Sequence, residues 1–336
     1  MKSKVASFMT LIIGLSTASI LQDVWGASAT ITEYNIPTKD SALRSIAVDS
    51  SGRVWFTEFN GKKIGRFDPT TGMFKEYRVH FAPWCVIYNV LDKLIYFTAG
   101  DYSNGHYGVL NPTNGAISEF PTSLPVASSV DCTITPDRYF WFNGWDSQTV
   151  SKSDNSGHII NYIPPYFGYT SGLTEDPEGN LWLTIVGAYE YNPTLLKLDT
   201  KLAQPGTSTG FETIPLPTNQ ETVRSPLAAL GKIWFPMMNS SKIASYDPTA
   251  KVFETFSTPT PNATPGRLAV DRWGRLWFAE NSVNQIGMLD LRTHTISEFP
   301  VPTPNSHPEQ ITVDNNQDVV WFTEASGNKI GKLILR

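Results

Sequence analysis

The chain has 336 residues, of which 40% are hydrophobic, 12% aromatic and only 17% charged. A net charge of -5 with no basic run excludes the electrostatic footprint of a nucleic-acid binder. Abundant turn residues, 24 Gly and 24 Pro, beside few charges fit an all-β chain.

The N-terminus reads as a secretory leader. Lys2 and Lys4 form a basic region, Val5 to Leu21 is largely apolar, and Ala27-Ser28-Ala29 is a small-residue cleavage site. The expected division is residues 1–29 as signal peptide and 30–336 as one mature domain, secreted, periplasmic or cell-surface. No later segment is long and apolar enough to span a bilayer. The first strand of the mature chain is Ile31–Ile36, and it has no partner nearby in sequence.

From there a short phrase built on Trp-Phe returns seven times, at Trp55, Tyr96, Trp141, Trp182, Trp234, Trp277 and Trp321. The spacings are 41, 45, 41, 52, 43 and 44 residues. A period in the forties written in strand-like text points to a seven-bladed β-propeller with four-stranded blades. The sixth repeat shows the plan: strands at 267–271, 275–280, 285–290 and 295–300, separated by Gly, Asp and Asn turns. The last repeat stops after its third strand, Lys329 to Leu335. Ile31–Ile36 therefore supplies the missing fourth strand and locks the ring as a monomer. The outer strands carry Glu33, Glu76, Glu119 and Glu298, expected to be solvated edge charges. The insertion Lys201 to Thr209 joins third and fourth strands of blade 4, on the face opposite the inner-strand openings.

Each inner strand opens at the end of the blade where the second strand finishes, so those two sets of residues converge on one channel mouth. The opening positions are Arg44, Trp84, Asp131, Ser171, Arg224, Arg267 and Glu309. The arginines are not imposed by the repeat, and guanidinium forks facing a polar channel suit a carboxylate, phosphate or sugar acid. Glu309 and His307 beside them suit general acid–base chemistry or a divalent cation, magnesium or calcium. The repeated Glu58, Glu280 and Glu324 are expected to satisfy backbone donors or arginines of adjacent blades. Tyr102, His106, Tyr107, Trp145, Tyr166, Phe167, Tyr169, Tyr189 and Tyr191 are expected in loops on the same face. Cys85 and Cys132 occupy equivalent inner-strand starts of adjacent blades, which predicts a disulfide.

The best-formed repeats, Ser45 to Tyr77, Leu268 to Pro300 and Ile311 to Leu333, resemble the virginiamycin B (streptogramin B) lyase family of seven-bladed propellers. That resemblance implies opening of a cyclic depsipeptide by elimination, with a histidine base and a magnesium ion held by glutamates. The family's Glu-Pro-His-Gly phrase aligns with His307-Pro308-Glu309-Gln310. The base position thus holds Glu309 and a metal position holds His307. A second functional histidine aligns with Gly266, an aromatic position with Arg44, and the remaining metal-binding glutamate with Glu324. Loss of both histidines argues against streptogramin lyase activity.

Three classes of function stay open. The favoured one is a binding module for a small molecule, carbohydrate or protein at the mouth. The alternative is a metal-dependent lyase or lactonase acting on a cyclic ester or sugar acid through Glu309 or His307. The third is a structural envelope protein.

Overall fold

The computed structural model describes residues 23–24, 27–100, 105–122, 129–145, 147–154, 156–165, 168–187, 193–218 and 221–336. The leader expected at residues 1–29 lies mostly outside them, as do Tyr102, Tyr166, Phe167, Tyr189 and Tyr191. Seven antiparallel sheets follow one another along the chain, joined by turns and loops. Each sheet is one blade; in six of them the strands run outward from the channel in chain order, and in the closing blade the last three strands of the chain lie inside Ala27–Asn35, with Asp23–Val24 at the edge. No helix among the described residues is long and apolar enough to cross a membrane.

The Trp-Phe phrase builds the blade-to-blade core because a strand's side chains alternate between its two faces. Trp55 packs with Val86, Ile95 and Phe97 of the following blade, whereas Phe56 packs with Val319 and Trp321 of the preceding one. Both rings are fully buried. The indole nitrogen still needs an acceptor. Asp49, Asp176 and Asp271, each beside the turn after an inner strand, accept from Trp55, Trp182 and Trp277 at 2.9, 2.8 and 2.9 Å. The threonine after Phe ties blades together: Thr57 Oγ1 accepts from Ser45 N at 2.9 Å and donates to Trp84 O of the next blade at 3.0 Å.

Ring closure follows the expected scheme, with a longer strand. The closing strand is Ala27–Asn35 rather than 31–36, and it pairs with the last strand from Ala29↔Leu335 to Asn35↔Lys329. The ladder runs on because the whole of Lys329–Leu335 offers partners. Ala29 and Ile31 are buried against blades 6 and 7.

The outer-strand glutamates are not solvated edge charges. Glu33, Glu76, Glu119 and Glu298 each turn back to hold the loop that leads into their own blade. Glu76 accepts from Thr38 N and Oγ1 at 3.1 and 2.9 Å, Glu298 from Thr260 N at 2.8 Å, Glu33 from Thr303 N at 2.8 Å, and Glu119 from His80 N at 3.0 Å. The incoming loop crosses the end of the blade and leaves backbone donors there, which a carboxylate satisfies. The 201–209 insertion, on the expected face, docks on blade 3: Gly206 N donates to Asn161 O at 2.8 Å and Ile163 N to Thr207 O at 3.1 Å.

Candidate functional site

Toward the mouth the ladder slips in five inner strands, between Leu43/Ile46, Pro83/Val86, Thr170/Gly172, Pro265/Leu268 and Pro308/Ile311. Such bulges re-aim side chains. Here they bring Arg44, Trp84, Gly266, Arg267, Glu309 and Gln310 to a cavity of about 600 Å³ at the channel mouth. Ser171, Arg224 and His307 line it too. Trp145, expected in a loop on this face, lines it as well, whereas Met238, Thr264, Asn281 and Ser326 on the wall were not singled out from the sequence. They follow the second strands or precede the inner ones, where the repeat is least regular.

Two of the three arginines are already neutralised. Arg44 Nη1 lies 3.1 and 3.0 Å from the two carboxylate oxygens of Glu309. Its guanidinium also stands 4.9 Å from the Trp84 ring and 5.6 Å from Phe59, a cation held on two aromatic faces. Burial pushes the Glu309 carboxyl up, and Arg44, then Arg224 and His307, oppose that. Across the channel, Arg267 of blade 6 is ion-paired with Asp131 of blade 3. Asp131 is fully buried, which raises its pKa against the pull of Arg267. Its backbone N–H donates to Asn143 Oδ1 at 2.8 Å. Arg224 differs from both. It is exposed in the mouth and, among the described residues, makes no hydrogen bond or ion pair.

The remaining candidates separate. His307 is exposed, with Nδ1 2.8 Å from Ser326 Oγ on the cavity wall. Glu324 is fully buried and sits with Glu33, Lys329 and Ser306 rather than on the cavity wall. The two therefore do not share a site. Trp145 stacks on Tyr169 at 5.0 Å, and Tyr169 is exposed but stands on the inner strand Gly168–Glu175 of blade 4 rather than in a loop. Tyr107 is instead fully buried in the core between blades 2 and 3, its hydroxyl donating to Asp154 O at 2.8 Å. His106, on the third strand of blade 2, stacks on Phe81 at 5.6 Å. Glu58, Glu280 and Glu324 do not satisfy backbone donors or arginines. Both oxygens of Glu58 and Glu324, and Oε1 of Glu280, are buried without a hydrogen-bond partner among the described residues.

Cys85 and Cys132 form the predicted disulfide, Cα to Cα 6.1 Å, joining the inner strands of blades 2 and 3 beside the mouth. Among the described residues no group of three His, Cys, Asp or Glu side chains converges as metal ligands. The donor set does not fit a resident divalent cation: the carboxylates nearest the mouth, Glu309 and Asp131, are committed to arginines, and Glu324 faces a buried compartment of its own.

A closed seven-bladed propeller with an arginine-bearing pocket at one mouth defines the class of protein. The virginiamycin B lyase family model matches residues 26–191 and 199–336, and the chain belongs to that family. A streptogramin B lyase structure is similar at 27% identity and a TM-score of 0.82, covering 94% of this chain and all of that one. Virginiamycin B lyase from Staphylococcus aureus is similar at 23% identity and a TM-score of 0.81, covering 92% of this chain and 100% of its own. A catalytically inactive form of that enzyme with quinupristin is similar at 23% identity and a TM-score of 0.78, with the same coverage. A search of curated proteins finds no match to this sequence.

Proposed function

We propose that this propeller is an exported binding module that takes a small molecule with an acidic group, a carboxylate, phosphate or sugar acid, into its channel mouth. The observation that carries this reading is Arg224. Arg44 and Arg267 are each ion-paired to a carboxylate, and Arg224 faces the cavity with no ion pair among the described residues, acting on Glu309 only at longer range. A guanidinium fork in a concave, partly desolvated site binds an oxyanion well. Trp84 and Trp145 on the same wall offer flat apolar surface to the rest of the ligand. Export is supported by the leader-like N-terminus and by the disulfide.

Isothermal titration with a panel of sugar acids and aromatic carboxylates tests the reading. Binding by the native protein, about tenfold or more weaker in Arg224→Ala and partly retained in Arg224→Lys, is expected. Equal affinity in Arg224→Ala, or no acidic ligand bound at all, refutes it.

Family membership favours a second reading, ring opening of a cyclic depsipeptide. Against it, the base position holds Glu309, and Arg44 occupies both of its oxygens. Elimination leaves the mass unchanged, so the test is a chromatographic shift of a streptogramin B at constant mass. No shift is expected, and a shift would put the enzyme reading first.

A further inference from the structure

We propose that blade 6 contains a proton-sharing carboxyl pair, Glu280 with Glu298, which fastens the loop leading to the mouth only while one of the two is protonated. The pair is a pH-sensitive clasp on the Arg267 side of the site, and the inference stands independently of which ligand the mouth takes.

The geometry is that of two acids with no base. Glu280 ends the second strand of blade 6 and is fully buried, with Oε1 lacking a donor among the described residues. Glu298, on the outer strand, reaches the same spot. Between them the third strand opens with Gln285. With the amide turned so that its nitrogen faces the acids, that nitrogen lies 3.2 Å from Glu280 Oε2 and 3.2 Å from Glu298 Oε2. From the loop over the blade end comes Thr260, again uncharged. Among the described residues the one charge acting on Glu280 is Glu298 itself.

The molecule contains its own comparison. Blades 1 and 7 have the same glutamate pair, Glu58 with Glu76 and Glu324 with Glu33. Their third strands open with Lys63 and Lys329, which are ion-paired to Glu76 and Glu33. Blade 6 has Gln at that place, so no cation offsets a second negative charge. Two carboxylates side by side, one fully buried and the other half-buried, cannot both ionise cheaply, and one proton between them resolves the conflict.

The clasp matters because of what Glu298 holds. Its oxygens accept from Thr260 N at 2.8 Å and Thr260 Oγ1 at 2.6 Å. The same loop is tied to blade 5 by Thr258 N to Ser241 O at 2.9 Å and Ala263 N to Ser241 Oγ at 3.0 Å. It runs directly into Pro265-Gly266-Arg267, and Thr264, Gly266 and Arg267 line the cavity. Once both acids are ionised, repulsion forces one of them away, and Glu298 releases Thr260 if it is the one to move.

The sign is fixed by linkage. Burial, then the charge of Glu298, raises Glu280 from 4.5 to about 8. Its contribution to stability is complete below about pH 4.5, where the unfolded chain is also protonated. It declines as pH rises and is gone above about pH 8.

The test follows thermal midpoint from pH 5 to 9 in the native protein, Glu280→Gln and Gln285→Lys. Hydrogen-exchange protection of residues 258–267, corrected for intrinsic rate, is measured alongside. Native protein is expected to lose protection at 258–264 about tenfold on passing pH 8. Both variants are expected to keep it and to show a shallower fall in midpoint. Gln285→Lys removes no group, so it serves if Glu280→Gln fails to fold. A native-like pH dependence in either folded variant overturns the proposal.

Discussion

The glycine of the Ile-Gly pair near the start of the third strand shows how one residue answers to another across a blade. Gly65, Gly287 and Gly331 each lie under the ring of the Trp-Phe phenylalanine on the neighbouring strand, and a Cβ there would sit 2.1, 2.1 and 2.0 Å from Phe56, Phe278 and Phe322. Gly331→Ala is therefore expected to cost about 1–3 kcal/mol, read as a lower urea midpoint at unchanged slope. At this scale the mouth was legible, because the repeat places equivalent residues at equivalent points, and Arg44, Trp84, Arg224, Arg267 and Glu309 do meet at one cavity. The fate of the glutamates was not. Whether Glu298 is solvated depends on a loop arriving from the previous blade, and no pattern within the repeat encodes that crossing. Glu324 was misread for the same reason: its position after Trp321 is visible, but its direction toward Glu33 depends on the strand that closes the ring.

Two elements hold the ring against opening. The closing strand contributes its full ladder to blade 7, buries Ala29 and Ile31, and brings Glu33 within 2.9 Å of Lys329. Deleting residues 27–36 exposes the inner three strands of blade 7 and leaves blade 6 without part of its cover. Loss of a cooperative melting transition is the expected result, and an unchanged melting curve refutes the closure. The second fastening is Cys85–Cys132, which closes a loop of sequence separation 47. Cross-linking a loop of that length is worth about 2–4 kcal/mol by restricting the unfolded chain. Cys85→Ser with Cys132→Ser should lower the unfolding free energy by that order, measured by denaturant titration. Both elements were legible from position alone. The bounds of the closing strand were not, because they depend on how far its partner extends.

Over the whole molecule, three fully buried glutamates share one direction of titration. Burial foremost raises Glu58 to about 7 and Glu280 and Glu324 to about 8, from 4.5. The unfolded chain releases these protons first, so stability falls as pH climbs from about 4.5 to 8 and levels off beyond. A melting midpoint that drops steadily between pH 5 and 8 is expected, and a rising one contradicts it. The strand directions carry a last implication. In every blade the inner strand starts at the mouth, so the third strand of blade 7 descends from it and the closing strand climbs back. Ser28 and Arg336 consequently meet at the far side of the disc, joined by Arg336 N to Ser28 O at 2.8 Å. A segment that precedes Ser28 or is fused after Arg336 therefore joins the disc on the face opposite the pocket and leaves the mouth unobstructed.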